Sequence, residues 1–167
     1  MRWTVRLRFL VLFVLMAVIV QAATTASPLA GRWHFVPEKS KGGQHFPPDT
    51  TLVVKQAGSR MYFEYWANNR IFQKDEYRTD GTSEKLYSNA NETATVDARL
   101  LKNQLQITTH HLMESEIGSK SYNDTDSWVV SKDGSTLTFR SSDGNNLFFE
   151  REGAKPAAAA PTAAPKK

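Results

Sequence analysis

Histidines, closely spaced acids and many hydroxyls are the side chains of this 167-residue chain that could do chemistry. His110 and His111 are adjacent, and a strand sends adjacent side chains to opposite faces, so they are poorly placed as two ligands of one metal. His34 and His45 lie far off in sequence. With no Cys and no His-x-His, no metal site is expected. The hydroxyls come without a Gly-x-Ser-x-Gly elbow, and no spacing marks a triad. Asp75-Glu76 and Asp124/Asp126 could pair as general acid and base. Both pairs sit in polar stretches where carboxylates are expected to be solvated and to serve solubility. No catalytic residue and no cofactor is expected.

Aromatic side chains are the richer feature. There are 18, and Met61-Tyr62-Phe63-Glu64-Tyr65-Trp66 places them on both faces of one strand. The elements that position them read as strands. Leu52/Val54, Met61/Phe63/Tyr65, Ala94/Val96, Leu105/Ile107, Trp128/Val130, Leu137/Phe139 and Leu147/Phe149 each put apolar groups on one face of an alternating segment. Asp80-Gly81, Asp133-Gly134 and Asp143-Gly144 are hairpin signals, with Gly58-Ser59 and Asn68-Asn69 as weaker ones. Helical periodicity is poor outside the N-terminal segment, with a short helix near Met113 to Ile117 as its best candidate. Strands joined by tight turns are antiparallel neighbours. One-sided patterning repeated along the chain predicts an all-β, antiparallel up-and-down β-barrel of about 8–10 strands, with a two-sheet sandwich as the alternative. The faces that converge inside bring together Phe63, Tyr65, Ile107, Trp128, Phe139 and Phe149, and a dry interior without charged groups is expected.

The ends of the chain read differently. Arg2, Arg6 and Arg8 precede a 12-residue apolar run from Phe9 to Val20, followed by small residues. That run is short for a spanning helix, which needs about 20 residues. Residues 1–26 are expected to be a signal peptide, cleaved between about 22 and 26, leaving an exported protein, periplasmic or extracellular, with no membrane span after processing. Residues 28–153 form the expected domain, and the Ala/Pro/Lys tail 154–167 has nothing to bury and is expected to be disordered. Of the 21 Lys+Arg, three lie in the leader and three in the tail, so 15 remain against 17 Asp+Glu. The domain is thus mildly acidic with scattered bases, and no nucleic-acid partner is expected. A 126-residue domain buries roughly two thirds of its surface on folding, so it can dispense with disulfides.

Two regions also resemble a known group. Leu29-Ala30-Gly31-Arg32-Trp33-His34-Phe35-Val36-Pro37-Glu38-Lys39-Ser40-Lys41, then Pro47-Pro48, is similar to the opening segment of secreted bacterial lipocalin-like proteins of the calycin type. Val130 to Phe139 and Leu147-Phe148-Phe149-Glu150-Arg151 resemble that group's last two hairpins, whereas residues 87–121 depart freely. The resemblance implies a closed end built on Gly31, Trp33 and Arg151, with Arg151 covering the Trp33 indole. It also implies a small hydrophobic molecule as the partner, carried inside the barrel. Two alternatives stand beside this: a solid-core module that meets a protein partner, for example a hydrolase, through its outer face or loops, and a cofactor-free barrel enzyme acting on an apolar substrate.

Overall fold

The computed structural model describes residues 26–44 and 46–153. The leader through residue 25, His45 and the tail lie outside the described residues. Ten strands follow in chain order: β1 (Gly31–Phe35), β2 (Thr51–Ala57), β3 (Arg60–Ala67), β4 (Arg70–Arg78), β5 (Glu84–Ser88), β6 (Glu92–Leu100), β7 (Gln104–Ser115), β8 (Gly118–Val130), β9 (Thr136–Arg140) and β10 (Asn146–Arg151). A single 3-10 turn, Pro37–Lys39, is the one helical element among the described residues.

All ten strands form one antiparallel sheet in the order β4-β3-β2-β1-β10-β9-β8-β7-β6-β5. Last meets first: β10 pairs with β1 in a register that sets Trp33 opposite Arg151 and Phe35 opposite Phe149. The free edges are β4 and β5, consecutive in the chain, and they stop just short of joining. Arg60 of β3 spans the seam with ion pairs to Glu76 of β4 and Glu84 of β5. The result is a nearly closed up-and-down barrel, as the turn spacing predicts.

Local chemistry explains most of the hairpins. Asn68 and Asn69 both adopt positive φ (49° and 59°), the pair that a primed two-residue turn between β3 and β4 requires. Two expectations fail. Asp80-Gly81 does not close a hairpin, because β4 and β5 do not pair; the Asp80 carboxylate instead accepts from the Thr82 amide at 3.0 Å, and Asp80 forms an isolated bridge with Arg99. The expected helix near Met113 to Ile117 is strand and turn, since β7 runs to Ser115 and pairs with β8 down to Gly118. Cross-strand pairing there overrides a weak helical pattern.

The core fills one half of the barrel. Trp33, Leu52, Met61, Phe63, Leu105, Leu137 and Phe149 are wholly buried. Each aromatic removes about 150–250 Å² from water, worth about 4–6 kcal/mol before entropy is charged against it. The barrel's other half is long hairpin: beyond Leu112 the β7–β8 ribbon is exposed on both faces, and Ile117 at its tip is fully exposed.

Candidate functional site

At the closed end, the segment before β1 wraps under the barrel. The Trp33 indole Nε1 donates to the Leu29 carbonyl at 2.9 Å, and the Arg151 guanidinium carbon lies 3.9 Å from the Trp33 ring centroid. Arg151 also donates to the carbonyls of Pro28 (2.6 Å), Ala30 (3.1 Å) and Gly134 (2.7 Å). Gly31 holds φ +142°, and a Cβ there would stand 2.6 Å from the Arg151 guanidinium. This end is a plug: the Trp33 indole and all three Arg151 nitrogens donate to backbone carbonyls.

The open end is different. A cavity of about 280 Å³ lies where β3, β4, β8 and β9 converge. Phe46 from the loop before β2, Tyr65, Trp128 and Phe139 make its apolar wall, with Phe46 stacked on Tyr65 at 5.4 Å and Trp128 tilted on Phe139 at 4.7 Å. Gln73, Asp75 and Tyr77, alternate residues of β4, make its polar wall. Their register explains the placement: Asp75 pairs with Phe63, Tyr77 with Met61 and Gln73 with Tyr65, all inward residues of β3. A bulge between Tyr65 and Trp66 keeps this phase while releasing Phe72 beside Phe46.

Asp75 governs the electrostatics of the polar wall. The Gln73 amide donates to both its oxygens, at 3.2 and 3.3 Å. Burial, with the Asp75 charge beside it, pushes the Tyr65 phenol far up; its hydroxyl also donates to Asp75. Tyr77 is likewise raised, by burial first and then by Asp75 and Asp126. Both phenols therefore stay protonated. Asp75 has no cationic partner among the described residues, and no Lys or Arg lines the cavity. The expectation of an interior free of charge is thus corrected: β4 and β8 turn Asp75 and Asp126 to the inner side, in register with Phe63 and Ile107.

No family model matches the sequence, and no relative is found among curated proteins. One solved structure, titled a REP1-NXSQ fatty acid transporter, aligns with a TM-score of 0.46 at 10% identity, covering 76% of this chain and 98% of that one. At that level of similarity nothing about its ligand transfers to this barrel.

Of the six residues expected to line a cavity, the structure sets Tyr65, Trp128 and Phe139 on the wall of the space. Phe63, Ile107 and Phe149 sit beneath them in close-packed core, Phe63 5.1 Å from Trp128 and Phe149 5.7 Å from it. Sequence reading missed Gln73, Asp75 and Tyr77 because it followed apolar alternation, and β4 alternates with its polar residues inward. Their signal was the strict every-second spacing opposite an apolar β3.

The histidines divide as their adjacency requires. His110, on the outer face, meets Asp97 at 3.0 Å and Asn123 at 2.9 Å. His111, on the inner face, stacks flat on Tyr122 at 4.5 Å, with Nδ1 2.9 Å from Glu92 and Nε2 3.4 Å from Asp124. The Tyr87 hydroxyl donates to Glu92 at 2.7 Å, and that bond first of all pushes its phenol up to about 12. These contacts tie β5, β6, β7 and β8 together in the exposed half of the ribbon. His34 lies 3.3 Å from the Thr51 hydroxyl on the surface. Tyr62 and Trp66 of β3 face outward, half-buried, and Trp66 borders a polar surface groove with Arg32 and Asp49.

Proposed function

We propose that this barrel is an exported binding protein, not an enzyme, that takes up one small, largely hydrophobic molecule at its open end. One observation carries the reading: the cavity walled by Phe46, Tyr65, Trp128 and Phe139, at about 280 Å³, lies just below the roughly 300 Å³ at which the range for ligand pockets begins. At the roughly 30 Å³ of a water's share it admits a molecule of roughly ten heavy atoms. Buried aromatic faces supply the affinity, and the β4 residues orient what enters. Calorimetric titration with naphthalene, which is uncharged and of that size, tests it. Saturable one-to-one binding that Gln73→Phe abolishes by filling the mouth, with the unfolding midpoint kept, is the expected result. Absence of binding would return the interior to solid core.

A second reading, a module that meets a protein partner, is favoured by the β7–β8 ribbon, which exposes Leu112, Met113 and Ile117 together near its tip. Its test is whether Ile117→Ser, which leaves the barrel untouched, changes any interaction of the exported protein.

A further inference from the structure

The cavity's chemistry selects among small apolar molecules. Resting on the reading that the open end is a ligand site, we infer that its occupant carries a primary ammonium group and that Asp75 receives it. Asp75 is a half-buried carboxylate inside an aromatic-walled space, and a carboxylate removed from water requires compensating donors or a cation. Gln73 and Tyr65 supply two neutral donors, fewer than the roughly four lone-pair sites of the group. No Lys, Arg or His of the described residues pairs with it. Asp126, whose charge also reaches Tyr77, adds to the negative potential on the same side.

The aromatic side of the site asks for the same ligand. The faces of Trp128, Phe139 and Tyr65 carry negative π density that attracts a cation and repels an anion. An ammonium on a short apolar body satisfies both walls at once: N–H donors to the free Asp75 lone pairs, positive charge near the rings, and hydrocarbon against Trp128 and Phe139. A carboxylate of the same size meets Asp75 as a like charge with no base to receive it. A neutral alcohol makes the hydrogen bond without the charge.

The experiment compares three probes on one skeleton at neutral pH by calorimetry: 2-phenylethylamine, 2-phenylethanol and phenylacetate. The expected order is amine about tenfold or more tighter than alcohol, because the ammonium adds its own charge to the hydrogen bond that both make to the carboxylate, with phenylacetate weakest. Asp75→Asn should erase the amine's advantage, the amine losing far more affinity than the alcohol, which loses only its hydrogen bond to a charged acceptor. Should that variant fail to fold, the order of the three probes on the unaltered protein decides alone. Equal affinity for amine and alcohol, or preference for phenylacetate, overturns the ammonium assignment and leaves the ligand site standing. No binding of any of the three, with naphthalene also failing, overturns the site and the assignment together.

Discussion

Arg151 lies across the Trp33 indole, its guanidinium carbon 3.9 Å from the ring centroid, while its nitrogens reach three carbonyls from two separate segments. The first strand, the last strand, the chain entering the barrel and the β8–β9 turn are all held by that one side chain. Burial lowers its pKa, yet five donors on a group that stays charged suit it to the task as a lysine would not.

Replacing Arg151 should therefore cost more than a ring contact. A cation–π contact is worth about 0.5–2 kcal/mol, and charge-assisted hydrogen bonds add to it, so Arg151→Ala should destabilise by about 2–4 kcal/mol in denaturant unfolding. Arg151→Lys should recover only part of that. Gly31→Ala, which strains φ +142° and displaces the same guanidinium, should cost less in the Arg151→Ala background than alone. Simple additivity of the two would show that Gly31 is not there to admit Arg151.

Gly43 shapes the open end. A Cβ there would stand 2.7 Å from Leu147 Cδ2 and 3.3 Å from both Phe35 and Phe46, at φ +75°. Gly43→Ala should push Phe46 off Tyr65, destabilise the fold by about 1–3 kcal/mol and weaken probe binding several-fold. An unchanged dissociation constant beside that loss of stability would mean that Phe46 is not part of the wall.

Asp133 organises the turn between β8 and β9. The Ser131 hydroxyl first, then the Ser135 amide and hydroxyl, donate to its carboxylate and lower its pKa to about 2. Because the folded value lies below the ordinary 3.8, its stabilisation is present above pH 3.8 and lost as pH falls toward 2. Asp133→Ala should thus be less stable than the parent at neutral pH, with the gap closing in acid. A gap independent of pH would assign the loss to turn geometry alone.

His110 titrates with the opposite sign. The Asn123 bond, then Asp97, raise it above its ordinary 6.5, so its contribution is complete below that pH and is lost as pH rises through the raised value. His110→Gln should be destabilised relative to the parent at about pH 5.5 and match it at about pH 8.5. The effect should be small, since the side chain is 41% exposed. A gap that widens with pH would reverse the assignment.

Fold class was legible because its signal is repeated: each apolar pair, from Leu52/Val54 to Leu147/Phe149, turns the same way, and each error could be outvoted by neighbours. The Asn68-Asn69 and Asp-Gly turns after β8 and β9 carried their own backbone preferences. Asp80-Gly81 shows the limit, since a dipeptide cannot reveal that its two flanking strands end on opposite edges of a sheet. The open end was half legible. Tyr65, Trp128 and Phe139 follow from apolar alternation, but whether they line space or fill it depends on volumes set by all ten strands. Asp75 reads in the sequence as a solvated acid beside Glu76, and although its every-second spacing with Gln73 and Tyr77 carries a signal, only the β3–β4 register fixes its phase as inward.

The unjoined edge of the sheet gives the cavity two walls of unequal compliance. Trp128 and Phe139 stand on β8 and β9, each laced to a strand on both sides, whereas Gln73, Asp75 and Tyr77 stand on β4, laced only to β3. Backbone amides on the outer side of β4 face the seam and should trade hydrogen for deuterium well before those of β8. The barrel thus has one jamb laced on a single side and one laced on both: on the proposed reading, a ligand too bulky for the resting space should enter by displacing β4 and its carboxylate, while Trp128 and Phe139 stay still.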